Sequence, residues 1–117
     1  MENFEVVRED RNKVSILRLR GFLDAHTAPQ FEKAIQELLG EDKFHIIVSM
    51  ADLNYISSAG LGVFMGFIEE IRENGGDIKL CSMTEKVFKV FDLLGFPALY
   101  EIYDEEDQAK GKYSETK

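Results

Sequence analysis

Between residues 31 and 71 the hydrophobic period of the chain changes twice, and few folds accommodate such a change. Phe31, Ala34, Ile35, Leu38 and Leu39 recur at i, i+3, i+4, i+7 and i+8, the single apolar stripe of an amphipathic helix. Residues 44–50 are then a continuous apolar run interrupted only by His45 and Ser49, the pattern of a central strand covered on both faces. Leu61, Phe64, Met65, Ile68 and Ile71 return to helical spacing until Asn74-Gly75-Gly76 stops them. A helix, a buried strand and a second helix in succession require layers, with parallel strands joined by right-handed crossovers.

The flanking segments extend the same pattern. Residues 4–7 and 14–19 are rich in Val, Ile and Leu and are separated by the polar stretch 9–13, which predicts an antiparallel hairpin at the start. Thr27, Pro29 and Gln30 read as a capping box opening the first helix, and Gly40 as its left-handed terminator. Ile78 and Leu80 mark a short strand. Ser82 or Thr84 caps a third helix carrying Val87, Val90, Phe91 and Leu94, ended by Gly95 and Pro97, and residues 99–103 form a last strand. A short final helix fits residues 105–110. From 111 to 117 the only apolar residue is Tyr113, which predicts a flexible tail after a domain spanning residues 1–110. The fold class expected is α/β: a single domain with a mixed, mostly parallel sheet of four to five strands that starts with a hairpin and packs against three to four helices.

Charge narrows the function. With 14 Lys and Arg against 22 Asp and Glu, the net charge of −8 repels phosphate backbones and anionic lipid surfaces, so neither direct nucleic-acid binding nor membrane association is expected. The most apolar stretch, residues 61–68, is far shorter than the roughly 20 residues a membrane-spanning helix needs. The start lacks the basic and apolar regions of a signal peptide, and the lone Cys81 has no internal disulfide partner; both point to the cytoplasm.

Catalytic signatures are missing. The chain contains no phosphate-binding G-x-x-x-x-G-K-[ST] loop, no G-x-G-x-x-G, no G-x-S-x-G elbow and no Cys/His cluster, so no enzyme activity, cofactor or metal is expected. His45 falls inside the central strand and reads as structural; His26, in a loop, has no nucleophile or metal partner at a recognisable spacing. Cys81 reads as a small buried residue.

The informative segment is residues 55–62, where Ser57 and Ser58 precede an apolar helix. Its unpaired N–H groups and positive dipole end favour an anion, so a phosphate on either serine would be well accommodated; equally, either serine serves as an ordinary helix cap. Ala59, Val63 and Phe67 lie at i, i+4 and i+8, on a flank turned away from the core stripe, and are read as an exposed face. Gly60, Gly62 and Gly66 each cost the helix about 1 kcal/mol relative to alanine. That cost is explained either by tight packing on the sheet or by close approach of a partner.

Three segments, together with the order of elements, carry a resemblance: residues 21–28 (GFLDAHTA), residues 52–62 (DLNYISSAGLG) and residues 74–76 (NGG). Over residues 4–103 the chain resembles the STAS domain, shared by anti-sigma factor antagonists and the cytoplasmic tails of sulfate transporters, and is most similar to the stand-alone bacterial antagonists. The resemblance implies a partner-switching cycle. An anti-sigma factor that is also a serine kinase binds the unphosphorylated antagonist and frees a sigma factor; phosphorylation at the position matching Ser58 abolishes binding until a metal-dependent, PP2C-like serine phosphatase restores it. Many members carry Asp where this chain has Ser57, which makes Ser57 an alternative acceptor, and Glu where it has Phe22, which places an apolar group near the partner surface. The expected partner-binding residues are Asp24, Ser57, Ser58, Ala59, Val63 and Phe67, with capping of the following helix as the other role open to Asp24. A constitutive STAS scaffold within a larger signalling or transport assembly is the alternative function.

Overall fold

The computed structural model describes the chain from residue 3 to residue 115. β1 (Phe4–Arg11) and β2 (Val14–Leu23) form the expected hairpin, paired antiparallel from Phe4↔Gly21 to Arg11↔Val14, with Asn12 left-handed in the turn. Then α1 (Ala28–Gly40), β3 (His45–Ile56), α2 (Ser58–Glu73), β4 (Asp77–Cys81) and α3 (Glu85–Leu93) follow, before a 3-10 turn at Phe96–Ala98, β5 (Ile102–Tyr103) and α4 (Glu106–Glu115). The sheet order is β1-β2-β3-β4-β5, and every pair after the hairpin is parallel.

Because each crossover steps in the same direction across the sheet, the right-handed rule puts α1, α2 and α3 on one face. Side-chain alternation sorts the strands accordingly. Leu17, Leu19, Ile46, Val48, Met50, Ile78 and Leu80 join the main core under these helices, whereas Ile16, Ile47 and Cys81 point to the opposite face, where Ala109 and Tyr113 of α4 cover them. This two-sided burial is why residues 44–50 lack alternation. Edge-to-face rings knit the helices together: Phe31 of α1 lies 5.1 Å from Phe64 of α2, which lies 5.8 Å from Phe91 of α3. Each fully buried ring or branched aliphatic contributes about 1.5–3 kcal/mol.

Several local expectations are corrected. The capping box does not form: the Thr27 hydroxyl accepts from the Asp24 N–H at 2.9 Å and donates to the Phe22 carbonyl at 2.8 Å, and Gln30 reaches instead toward the Phe4 carbonyl. Gly40 stays helical, and the left-handed residue after α1 is Asp42 (φ 61°). Thr84, by contrast, does cap α3, its hydroxyl accepting from the Val87 N–H at 3.2 Å. The strands of the hairpin and β3 run longer than hydropathy alone suggests, and β5 is confined to Ile102–Tyr103.

The largest difference is at the C-terminus. Residues 111–115, expected to be flexible tail, continue α4 across the boundary drawn at 110, because Tyr113 is 7% exposed and its hydroxyl accepts from the Ile46 N–H at 3.1 Å while donating to the Asp77 carbonyl at 2.6 Å. Its ring stacks on His45 and takes the Lys79 ammonium on its other contacts, and Arg18 binds Glu106 at 2.7 Å. Residues 116–117 of that predicted tail lie outside the described residues.

Candidate functional site

The C-terminal ends of parallel strands are where an α/β sheet gathers its loops. Here the β2–α1 and β3–α2 loops are stitched together by the Ser57 N–H, which donates to the Leu23 carbonyl at 2.9 Å. Asp24 follows Leu23 directly, so Asp24, Ser57 and Ser58 occupy adjoining loops.

Asp24 is consumed by its own turn. Its carbonyl accepts from the Thr27 and Ala28 N–H groups at 3.1 and 2.7 Å, and its Oδ1 accepts from the His26 and Thr27 N–H groups at 2.9 and 3.2 Å. The half-buried side chain therefore holds the loop before α1 in shape, through the N–H groups of residues that precede the helix and not those of its first turn.

Ser57 and Ser58 divide differently from the sequence expectation of a cap. Ser57 is the residue before α2, extended at φ −104° and ψ 175°, yet its side chain makes no capping bond, and its Oγ is a buried hydroxyl without a partner among the described residues. Ser58, the first helical residue, is exposed. Of the four N–H groups that a helix start leaves without an intrahelical acceptor, only that of Ser57 finds one among the described residues; those of Ser58, Ala59 and Gly60 are aimed at the surface end of a 16-residue helix with no acidic residue in its first turn. The Ser58 hydroxyl thus stands exposed in an electropositive setting.

The expected face of α2 is corrected in part. Ala59 is exposed, but Val63 is 8% exposed and Phe67 is half-buried, packed against the main core. As the middle of three helices, α2 is covered on both flanks as well as beneath, so its free arc is narrower than the wheel suggests and consists of Ser58, Ala59, Gly62, Met65 and Gly66 at its N-terminal half. The glycines separate by position. A Cβ on Gly60 would come within 2.7 Å of Leu23 Cγ and 3.0 Å of Ile56 Cγ1, so Gly60 is there for packing; Gly62 and Gly66 have nothing within 4 Å and leave the outer surface bare.

Exposed aromatic groups complete the neighbourhood. Phe22 and Tyr55, paired in the β2–β3 register, are 44% and 43% exposed with centroids 6.0 Å apart, and Met65 is 49% exposed. Tyr55 was not among the residues singled out from sequence. Strict alternation would put Tyr55 on the face of buried Leu53, and it is the register shift between Gly21 and Phe22, which pairs Leu53 with Gly21 but Tyr55 with Phe22, that separates them.

Burial pushes the Cys81 thiol up from its ordinary value, which suppresses the reactive thiolate. Among the described residues no three His, Cys, Asp or Glu side chains cluster to hold a metal, and no helix is long and apolar enough to cross a membrane. His26 is exposed, and the His45 ring, stacked on Tyr113, belongs to the opposite pole of the sheet.

Comparison with known proteins agrees with this architecture. The family model described as the STAS domain matches residues 5–109. An anti-sigma F factor antagonist of Paenibacillus polymyxa is 34% identical over 111 residues, covering 92% of each chain. A crystal structure of a Thermotoga maritima protein assigned as an anti-sigma factor antagonist superposes with a TM-score of 0.83 at 27% identity, again covering 92% of each chain. The antagonist SpoIIAA in its unphosphorylated form has the same fold, with a TM-score of 0.83 at 23% identity over 97% of this chain and 99% of its own.

Proposed function

From the membership of this chain in the STAS domain family, we propose that it is an anti-sigma factor antagonist that works as a serine-phosphorylation switch. In this reading the unphosphorylated protein binds an anti-sigma factor with serine kinase activity and releases a sigma factor in the cytoplasm. The kinase phosphorylates Ser58, and a PP2C-like phosphatase resets the cycle. The protein itself catalyses nothing.

The observation that carries the reading is the exposure of Ser58 at an uncapped helix start. A phosphate there adds about −1.5 to −2 charges at pH 7, which the free N–H groups of the first turn tolerate without unfolding. A partner surface fitted to Ala59, Gly62, Met65 and the Phe22–Tyr55 pair would meet that charge with no compensating cation, and so would be expelled. Ser57, standing where many relatives have Asp, places no carboxylate beside the phosphate. With its Oγ buried, Ser57 is also the poorer acceptor of the two serines.

Phosphosite mapping after incubation with Mg-ATP and a lysate of the source organism tests this, with Ser58→Ala and Ser57→Ala as controls. Label lost only in Ser58→Ala supports the assignment, as does a captured kinase that binds Ser58→Ala but not Ser58→Asp. Label persisting in Ser58→Ala moves the acceptor elsewhere. No label, where other lysate proteins are phosphorylated, favours a constitutive scaffold found with partners in fixed stoichiometry.

A further inference from the structure

The sheet ends at β5, and the two edges are protected very differently. Along β1, Arg8 is paired with Asp10 and Glu41 at 2.9 and 2.7 Å, and Glu9 with Arg11 and Arg18, the charged guard that edge strands commonly carry. β5 has no such guard on its α3 side. The N–H groups of Leu80 and Ser82 donate to the carbonyls of Glu101 and Tyr103 at 2.9 and 3.1 Å, so the N–H and C=O of the intervening Ile102 face the open side of the parallel ladder. Among the described residues neither has a hydrogen-bond partner.

An open cleft of about 820 Å³ runs beside that edge. Met83 and Phe88 supply its apolar wall, with Phe88 37% exposed, and Glu85, Glu101 and Asp104 line it without any Lys or Arg. Glu101 shares its charge with Lys79 at 2.9 Å, but Glu85 and Asp104 form no ion pair among the described residues. The cleft thus combines an unpaired backbone donor and acceptor, an apolar wall and uncompensated negative charge. Backbone groups select an extended peptide over a compact ligand, and the carboxylates select its side chains.

We propose that the β5 edge docks an extended segment of a partner protein in which apolar and basic residues alternate. Its backbone pairs with Ile102, an apolar side chain seats against Met83 and Phe88, and Lys or Arg side chains meet Glu85 and Asp104. The surface is two strands away from β3 and does not depend on phosphorylation of Ser58.

Amide-resolved NMR titration of the whole chain tests this with two end-capped probes, a short peptide of alternating leucine and lysine and the same peptide N-methylated at alternate amides. The expected result is saturable shifts centred on Phe88, Ile102 and Asp104. Binding should be at least about tenfold weaker for the N-methylated probe and for the Glu85→Lys/Asp104→Lys variant, and should weaken with salt. Equal affinity for both probes, shifts spread over the acidic surface at large, or no saturable binding each overturns the proposal.

Discussion

Replacing Gly62 by alanine is expected to stabilise the fold while weakening the proposed complex. Gly62 is exposed within α2 and an added Cβ meets nothing within 4 Å, so the substitution incurs no packing cost and gains the helix about 1 kcal/mol. At an unfolding entropy of about 2.1 cal/mol/K per residue, the 117-residue chain converts that gain into a rise of about 4 °C in Tm. Gly66→Ala should behave alike. Gly60→Ala is the contrast: its Cβ would lie 2.7 Å from Leu23 Cγ and 3.0 Å from Ile56 Cγ1, both in fully packed surroundings, and an overpacking cost of about 1–3 kcal/mol outweighs the helical gain. Thermal unfolding of the three variants reads the first half of the argument, and binding to the anti-sigma partner reads the second. A Tm that falls in Gly62→Ala, or rises in Gly60→Ala, refutes the assignment of the two glycines to surface and core. Undiminished partner affinity in a stabilised Gly62→Ala refutes the role of the bare arc of α2 in recognition.

Other perturbations probe separate parts of the structure. Tyr113→Phe leaves the buried Ile46 N–H without its acceptor and should cost about 1–3 kcal/mol in chemical denaturation, whereas a dispensable tail would show no change. Ser57→Ala, although at a helix N-cap, should alter stability by less than about 0.5 kcal/mol because the hydroxyl makes no capping bond; a loss of about 1 kcal/mol would mean that it caps in solution. The hydrogen bonds from Arg18 hold the Glu106 carboxyl below its ordinary value of 4.5, so the folded state favours the ionised form. Its contribution is complete above that ordinary value and fades as the pH falls through the lowered one. Glu106→Gln should therefore be less stable than the parent at neutral pH, and the two unfolding curves should converge in acid.

What could be read from the sequence follows from how many residues share a signal. The stripe from Phe31 to Leu39, the doubly covered run at residues 44–50 and the helical repeat from Leu61 to Ile71 each repeat one instruction several times, and the element order emerged from them. Single residues misled where tertiary context decides. Val63 and Phe67 face away from the core stripe on a wheel, but packing with the main core buries Val63 and half-buries Phe67. Gly40 looked like a terminator, yet the left-handed position fell to Asp42. α4 was invisible beyond residue 110 because one tyrosine in a polar stretch carries its docking, and nothing local announces that its hydroxyl will meet the backbone of two strands. Within the candidate site, the serines were legible as a pair, but their division into one inward and one outward hydroxyl depends on the path of the chain between Leu23 and Ser57.

A strand order that follows chain order has a consequence for biosynthesis. Each new strand adds to the edge its predecessor left, so the sheet can be assembled vectorially as the chain emerges, the hairpin first and β5 last. The layer over the second face cannot keep pace, since α4 and its anchor, Tyr113, follow all five strands in the chain. Ile16 and Ile47 wait uncovered on the nascent sheet until that anchor leaves the ribosome. The interval between the synthesis of β3 and that of α4 is therefore one in which the sheet carries an open apolar face, and it closes only when α4 docks.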